Sequence, residues 1–552
     1  MKFQPQMQTT KAMDAIEARR PSDLNKSKCS KVKVIDTFGR GGLFPLMLQS
    51  GMQRSGECGR MALGDPKYFL FLAASVAVFY MIRGERPRAV WLLIVSYVFY
   101  FNLSRLYVVI LVAVTAAAFA GGLIVERCKK TRHRNLLFGL LCAVILAPLI
   151  VFKYLGFLLG VAAGVISFPI LTSSPLQTLA LPVGISFFTF VALGYLIDVY
   201  LEVIDPEHRP VNFALFLAFF PLVTAGPIER GGGLLPQFNF DKSFSSDRAL
   251  SACRLIFLGL FLKIVCADNL FKPADEFFAN PSAFIPLEKL FALMHYSFYI
   301  YTDFAGYSLI AVGSAALFGL DVRPNFRQPF LSTSIPEFWR NWHMSLSSWV
   351  RDYLFTPLRM QARRYPNAGM IAALMISFTV LGAWHGAGWG FVLFGVTHGA
   401  LSVASVYTLR LRDDIWLSIG APATLVHAWR IVCTFLLVAL AFVFFRANSV
   451  ADAGVIYRSL LSLDLLKDIA HAIKVKTLQP NESVGFQILG FYSWTWLIIA
   501  VVIVGDVLAR NRLTLERLPR LVQFAAYNAG LLMIMYGWMS AGASQPFLYY
   551  RF

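Results

Sequence analysis

Long apolar stretches recur along nearly the whole chain, and this recurrence constrains the fold more than any other feature. Stretches such as 68–82, 135–152 and 494–509 approach the length that an α-helix needs to cross a lipid bilayer, about 20 residues. Only 15% of the residues are charged, against about 25% in soluble proteins. The sequence therefore predicts an all-α, polytopic membrane protein with about 11–13 transmembrane or re-entrant helices.

Basic residues give the chain a net charge of +19, and they concentrate in short segments between the apolar stretches. Such clusters occur at 83–88, 126–134, 361–366 and 509–520. This distribution follows the positive-inside rule, which places basic loops in the cytoplasm. It predicts a multi-pass protein of the cytoplasmic (inner) membrane rather than a nucleic-acid-binding protein. The seven cysteines show no metal-ligand spacing, so the sequence predicts neither a metal site nor a disulfide framework.

Residues 1–60 form a polar, basic N-terminal tail without the apolar core of a signal peptide. One interpretation is a disordered cytoplasmic tail. If loop 83–88 is cytoplasmic, however, the span at 68–82 begins outside the cell, and the positive tail would lie outside as well. We therefore predict that translation starts near Met61, and that 61–552 is a single membrane domain.

Two stretches, 179–190 and 219–237, combine proline and glycine with apolar residues. Irregular backbone is tolerated at membrane depth only where protein or a water-filled cavity satisfies its polar groups. We predict that both stretches line a cavity. Elsewhere the apolar pattern predicts ordinary spans, including two separate spans at 135–152 and 154–172.

The most polar segment between apolar stretches is 336–355. Ser334 and Glu337 have the spacing of a capping box, and Pro336 falls in the first turn of the helix that this box would start. The pattern predicts one helix that begins at Ser334 and ends at Pro357.

This predicted helix is amphipathic. Its aromatic face carries Trp339, Trp342, Leu346, Trp349, Val350 and Tyr353, and its cationic face carries Arg340, Ser347 and Arg351, with His343 at the border. The helix is either an interfacial helix anchored by tryptophans or a catalytic or substrate-binding helix, since ionisable groups at membrane depth usually have a function.

A second polar feature lies in the apolar stretch 381–400, where His385 follows Trp384. Glycines recur nearby at 382, 386, 390, 395 and 399, a spacing that lets helix backbones approach closely. An uncharged imidazole in such an apolar place can act as a general base. The alternative is a histidine that packs between helices.

Three further ionisable residues stand in apolar stretches. We predict a structural role for His398, while the role of His295 stays open. Asp303 should have a partner, because an isolated carboxylate is costly at membrane depth.

These stretches resemble the membrane-bound O-acyltransferase (MBOAT) family, and within it the AlgI-like branch of alginate O-acetyltransferases. The most specific match is the pair of histidine motifs, "FWRNWHMSLSSWVRDYLFTPL" and "LGAWHGAGWGFVLFGVTHG". The resemblance runs from about residue 65 to the end, and its other matching stretches are 181–200, 215–230, 301–319, 442–447 and 547–552.

The resemblance implies an MBOAT fold with a central tunnel and an O-acyltransferase activity. It implies His385 as the catalytic base and His343 as its essential partner. It also implies acetyl-CoA or another acyl thioester as donor, with no bound cofactor, a polysaccharide acceptor outside the cell and a periplasmic SGNH-type acetyltransferase partner. Further substrate or tunnel candidates are Arg340, Trp342, Ser347, Arg351, Asp352, Tyr353, Trp384 and Asp303.

Two alternatives remain at this point. The first is DltB-like transfer of D-alanine to a cell-envelope polymer. The second is a glycan or acyl transporter, although transporters tend to show paired broken segments that this sequence lacks. The segment 356–366 and Leu309 depart from the alginate pattern, so alginate and other surface glycans both stay open as acceptor.

Overall fold

The fold is that of a computed structural model, which describes residues 61–165, 181–240, 243–474, 493–513, 515–540 and 547. The tail at 1–60 lies outside the described residues, so the predicted start near Met61 stays a prediction. All regular structure in the described part of the chain is helical.

The first half of the chain contains eleven α-helices in the described ranges. They are α1 (Pro66–Met81), α2 (Glu85–Leu103), α3 (Val108–Arg127), α4 (Arg134–Leu149), α5 (Leu155–Val165), α6 (Ile185–Tyr200), α7 (Pro210–Ala218), α8 (Gly231–Leu234), α9 (Ser246–Leu260), α10 (Asp268–Ala279) and α11 (Pro286–Leu317).

The second half contributes eleven more α-helices among the described residues. They are α12 (Ile335–Asn341), α13 (Met344–Val350), α14 (Thr356–Gln361), α15 (Pro366–His385), α16 (Trp389–Tyr407), α17 (Leu409–Ser418), α18 (Ala423–Arg446), α19 (Val450–Leu460), α20 (Asp464–Lys474), α21 (Ser493–Arg510) and α22 (Arg520–Ser540).

Seven helical stretches among the described residues are long and apolar enough to span a membrane, which confirms a multi-pass membrane protein. Helix α11 forms the core, because 78% of its apolar stretch is buried, whereas no other spanning stretch exceeds 39%. The seven stretches are Arg105–Arg127, Arg134–Ala163, Ser246–Ala279, Pro286–Leu317, Pro366–His385, Trp389–Tyr407 and Ala423–Arg446.

Side chains near the helix ends make contacts that mark the two ends of the molecule. At one end, which we call the basic end, Arg134 pairs with Glu202 at 3.0 Å, and Arg88 donates to the carbonyl of Phe240. At the opposite end, Tyr100 donates to the carbonyl of Val183 at 2.8 Å. That this end faces the cytoplasm, as the positive-inside rule predicts, stays a prediction.

Helices α4 and α5 form one continuous rod, joined by the single π-helical turn Ile150–Tyr154. The predicted boundary between spans at 135–152 and 154–172 is therefore wrong. Lys153 is the one residue between these two predicted spans. In the fold this lysine stays within the helix because its ammonium bonds to neighbouring segments of the protein.

The polar segment folds into two short helices rather than one. Its start is as predicted, since the Ser334 hydroxyl accepts from the Glu337 N–H at 3.3 Å. The helix then breaks at His343, which has left-handed backbone angles (φ 43°, ψ 55°). A neighbouring segment stabilises this break, because the Met344 N–H donates to the Asn325 carbonyl at 2.8 Å. Such pairing cannot be predicted from helical periodicity.

The predicted helix end at Pro357 is also wrong. After α13 the chain continues through the π-helical turn Arg351–Phe355 into α14, where Pro357 occupies the first turn. Pro357 therefore lies within a helix that continues past it. The turn that precedes it, which lacks one backbone donor because proline has no N–H, is the wider π-helical one.

The glycine spacing at 381–400 does permit close packing of α15 against α16, as predicted. A Cβ on Gly382 would lie 2.7 Å from the Gly395 Cα, and one on Gly395 would lie 2.3 Å from the Phe378 carbonyl oxygen. These distances leave no room for a methyl group, so the pairing of the two helices depends on glycine.

Candidate active site

A narrow cavity lies beside His385, with about 430 Å³ of empty volume. Little of this space admits a water molecule, so the cavity is a slot rather than a chamber. The predicted broken stretches at 179–190 and 219–237 both contribute to its wall. The lining residues are Lys153, Leu181, Pro182, Val183, Gly184, Ile185, Ser186, Phe187, Thr224, Trp384 and His385.

His343 is fully buried at the break between α12 and α13. Its ring centroid lies 4.7 Å from that of Phe304, 5.9 Å from that of Trp384 and 6.3 Å from that of Phe187. Two of these neighbours, Trp384 and Phe187, line the slot. The left-handed backbone of His343, an uncommon conformation for a non-glycine residue, directs the ring into this aromatic wall.

Asn325 links His343 to the preceding segment. The Asn325 Oδ1 lies 3.1 Å from the His343 Nδ1 and accepts from both the backbone N–H and the hydroxyl of Ser345, at 3.2 and 2.9 Å. Its Nδ2 donates to the Ser308 hydroxyl at 3.2 Å. The side chain of Asn325 is therefore bonded on both sides, which holds the His343 ring in one orientation.

His385 is the last residue of α15, and the chain leaves the helix at Gly386 with extended backbone angles (φ −166°, ψ 157°). The ring of His385 packs against those of Trp384, Phe394 and Phe445, with centroids 5.1, 5.9 and 5.2 Å away. Both signature histidines therefore contact the Trp384 ring. The structure brings together these three predicted residues, His343, Trp384 and His385.

The end of α15 is capped by residues of the π-helical turn between α4 and α5. Lys153 Nζ donates to the carbonyls of Trp384 and His385 at 2.6 and 3.0 Å, and to the Ser186 hydroxyl at 3.2 Å. The Tyr154 hydroxyl donates to the Ala383 carbonyl at 2.9 Å. The last carbonyls of a helix lack partners within the helix, so these two side chains satisfy three consecutive ones.

The sequence does not predict a functional role for Lys153 or Tyr154. A signal was present, because a lysine inside an otherwise apolar stretch is costly and usually has a specific partner. The partner itself lies more than 200 residues away in sequence, which is why the sequence could flag Lys153 but could not assign its role.

A second small cavity has about 300 Å³ of empty volume. Phe187 lines both this cavity and the slot, and Glu229 is another residue of the second cavity's wall. Glu229 accepts from the Arg323 N–H at 2.9 Å, but burial still raises the pKa of its carboxyl above the usual range.

Near this second cavity lies a cluster of charged and aromatic residues. Arg230 pairs with Asp352 at 3.3 Å and stacks over the Tyr353 ring at 4.1 Å. The Tyr353 hydroxyl donates to Asp198 at 2.6 Å, and exposed Arg351 also pairs with Asp352. Three of the predicted candidates, Arg351, Asp352 and Tyr353, therefore form a separate group near the basic end rather than lining the slot.

A wider cavity, open to solvent, lies near His385 and has about 1300 Å³ of empty volume. It shares Phe445 with the surroundings of His385, and its polar lining residues are Arg446, Asn448 and Ser449. Aromatic side chains form most of the remaining wall: Phe157, Phe271, Tyr299, Trp389, Phe391 and Phe444.

Four predicted candidates lie away from the slot. Trp342 is buried among aromatic rings on the far side of His343, such as Phe338 at 5.4 Å. The Ser347 hydroxyl donates to the Trp342 carbonyl at 3.0 Å, and the Arg340 side chain is exposed. Asp303 is fully buried and pairs with Lys263 at 2.8 Å, so the expectation that it has a partner is confirmed.

The other two buried histidines connect helices. His398 Nδ1 accepts from the Trp339 indole at 3.1 Å, which ties α16 to α12. His295 Nδ1 donates to the Phe291 carbonyl at 2.9 Å, so its Nε2 accepts from the Thr495 hydroxyl at 2.7 Å. Neither ring lines the slot.

Comparison with known proteins gives these features a context. The sequence profile of the membrane-bound O-acyltransferase family matches residues 201–445. The probable alginate O-acetylase AlgI of Pseudomonas aeruginosa is 34% identical over 405 residues, which cover 71% of this chain and 73% of that protein.

Two relatives with other substrates in their names are similar as well. The peptidoglycan O-acetyltransferase of Helicobacter pylori is 29% identical over 88% of this chain and 96% of its own length. The teichoic acid D-alanyltransferase of Streptococcus thermophilus is 33% identical over 43% of this chain and 60% of its own length. The resemblance seen in the histidine motifs is thus confirmed across most of the chain, and the chain belongs to the membrane-bound O-acyltransferase family.

Proposed function

We propose that this O-acyltransferase moves an acetyl group from a thioester donor on the cytoplasmic side towards a polysaccharide outside the cell. Relatives named as O-acetylases of alginate and of peptidoglycan support acetyl as the acyl group and a polymer as the final acceptor. The transporter alternative is set aside, because the family and its named members are acyltransferases.

One observation carries the proposal. The rings of His343 and His385 both pack against the Trp384 ring. Trp384 and His385 also form part of the wall of a narrow slot lined by irregular backbone. A slot of this width fits a small acyl group better than a long acyl chain. Burial in an aromatic setting favours the uncharged form of an imidazole, and an uncharged imidazole can accept a proton.

In the proposed reaction His385 is the general base, and His343 is its partner. His385 takes the proton from the attacking hydroxyl, whose oxygen forms a bond to the thioester carbonyl carbon. The carbon–sulfur bond then breaks, and the thiolate receives the proton from His385. The products are an acetyl ester and a free thiol, and the enzyme returns to its starting state.

The donor is proposed to approach from the basic end. The charged group at this end, formed by Arg230, Arg351 and Asp352, would contact the phosphate-bearing part of acetyl-CoA or of another carrier thioester. Arg340, also exposed, would add to the positive potential that attracts an anionic donor. The small cavity next to Phe187 would lead the acyl end towards the slot.

The hydroxyl is proposed to arrive through the wider cavity near His385. Aromatic walls with Arg446, Asn448 and Ser449 as polar lining residues suit a hydroxyl-bearing segment of a periplasmic SGNH-type acetyltransferase or the glycan itself. In the first case that partner would receive the acetyl group and complete the transfer to the polysaccharide.

The test uses the purified full-length protein in liposomes with acetyl-CoA labelled in the acetyl group. We expect labelled ester on an added SGNH-type partner or on an added glycan. His385→Gln should abolish this label, while His295→Gln serves as a matched variant that also removes a buried imidazole. Formation of label with His385→Gln at the wild-type rate would reject His385 as the base, and transfer of D-alanine instead of acetyl would reject the assigned acyl group.

A further inference from the structure

Asn325 occupies a fully enclosed position next to His343 and has two different sets of partners. It is 2% exposed. Its oxygen faces His343 and Ser345, while its amide nitrogen faces Ser308. The backbone N–H of Ser345 can only donate a hydrogen bond. The Asn325 side-chain atom that it contacts must therefore be the oxygen, Oδ1.

The orientation of this amide determines where the hydrogen of the neighbouring imidazole lies. The Asn325 Oδ1 can only accept, so the His343 Nδ1 at 3.1 Å must carry the hydrogen that it shares with that oxygen. In an uncharged imidazole the other nitrogen, Nε2, then holds the lone pair.

We propose that Asn325 is a positioning residue that fixes His343 in the tautomer with hydrogen on Nδ1. Nε2 is thereby assigned as the nitrogen that accepts a hydrogen bond during acyl transfer. The role of Nε2 in acyl transfer rests on the proposed function, whereas the tautomer does not. In this tautomer an uncharged His343 can accept a hydrogen bond at Nε2 but cannot donate one from it.

Backbone contacts support the same role. The carbonyl of Asn325 accepts from the N–H of Met344, and the N–H of Arg327 donates to the carbonyl of Asn341 at 3.0 Å. The segment that carries Asn325 thus bonds to the chain on both sides of His343. The left-handed backbone and the side-chain bond together leave the ring a single orientation, which is what a positioned hydrogen-bond acceptor requires.

The first test reads the tautomer directly. Full-length protein labelled with ¹⁵N-histidine is placed in lipid nanodiscs, and the signals of His343 are assigned by their loss in His343→Gln. We expect a protonated Nδ1 and an unprotonated Nε2 in the wild type. Asn325→Leu should produce a mixture of tautomers. Ser345→Ala keeps the backbone donor that orients the amide, so it should retain the wild-type tautomer.

The second test reads the consequence for catalysis. Asn325→Leu should lower kcat for acetyl transfer by about 3- to 10-fold, the effect of losing one neutral hydrogen bond, with KM close to wild type. Asn341→Leu is the matched control, since the Asn341 side chain bonds to Ser332 and not to His343. It should leave the tautomer and kcat unchanged.

The outcomes separate the two proposals. Hydrogen on Nε2 in the wild type, or an unchanged tautomer in Asn325→Leu, would overturn the role of Asn325. Absence of acetyl transfer by the wild-type protein would instead overturn the proposed function, and the tautomer measurement would still decide whether Asn325 positions His343.

Discussion

The two signature histidines share one tryptophan but are held in different ways. His343 is held through its ring, because Asn325 bonds to its Nδ1. His385 is held through its backbone, since Lys153 and Tyr154 bond to the carbonyls at the end of α15. We call Lys153 and Tyr154 the backbone clamp. Their side chains bond to carbonyls and not to the ring nitrogens of His385.

This difference matches the proposed division of work. A ring whose Nδ1 is bonded keeps one tautomer, which suits a residue that orients the reacting group. A residue that is bonded through its backbone stays in position, while its ring can still take up and release a proton. This arrangement suits a base that is protonated and deprotonated in each cycle.

Replacing His385 should have the largest effect. His385→Gln removes the proposed base, so acetyl transfer should fall by at least about 100-fold, the usual contribution of general base catalysis. The measurement is label transfer per amount of folded protein in liposomes. The matched variant His295→Gln, which changes a buried histidine outside the slot, should remain close to wild type. Equal losses in both variants would indicate damage to the fold rather than loss of a base.

Removing the ammonium of Lys153 should come next. Lys153→Met leaves the carbonyls of Trp384 and His385 without their donor and allows His385 to shift, so kcat should fall by about 10- to 100-fold. Lys289→Met is the control, because Lys289 is a buried lysine that donates to Ser459 away from the slot. If Lys153→Met raised only KM, Lys153 would belong to donor binding and the clamp would be refuted.

A smaller effect is expected for the second half of the clamp. Tyr154→Phe removes one hydrogen bond to the Ala383 carbonyl and should lower kcat by about 3- to 10-fold. Tyr457→Phe removes a similar bond, from a half-buried tyrosine to the Leu440 carbonyl, and should not change acetyl transfer. A Tyr154→Phe enzyme with wild-type kcat would assign the positioning of His385 to Lys153 alone.

The smallest effect is expected at the basic end. Arg351 is 62% exposed, so Arg351→Gln should raise KM for acetyl-CoA by about threefold and leave kcat unchanged. The difference should disappear at high salt, because the interaction of an exposed charge with an anionic donor is screened. A change in kcat that persists at high salt would place Arg351 in the chemical step instead.

Sequence patterns predicted the parts of the site that depend on residue type and spacing. The two histidines, the glycines at 382 and 395 and the capping box at Ser334 each follow from a local pattern in the sequence. Irregular stretches near Pro182 and Gly226 were also predicted to line a cavity, because their backbone polar groups need partners inside a membrane.

The remaining features depend on contacts between distant segments. The break at His343 arises from pairing with the segment around Asn325, while the aromatic periodicity of 336–355 continues through it. Lys153 falls between two predicted spans. The carbonyls that it caps belong to another helix, so the local sequence does not show that this lysine lies inside a helix. Tertiary contacts override helical periodicity at both positions.

The central claim is that an acetyl thioester reaches His385 through the slot beside Trp384. The most direct test is a cryo-electron microscopy structure of the full-length protein in nanodiscs with a non-hydrolysable acetyl-CoA analogue. We predict that the acyl end lies in the slot with its carbonyl carbon next to the His385 ring and its phosphates near Arg230. An analogue bound with its acyl end outside the slot, away from both histidines, would contradict the account.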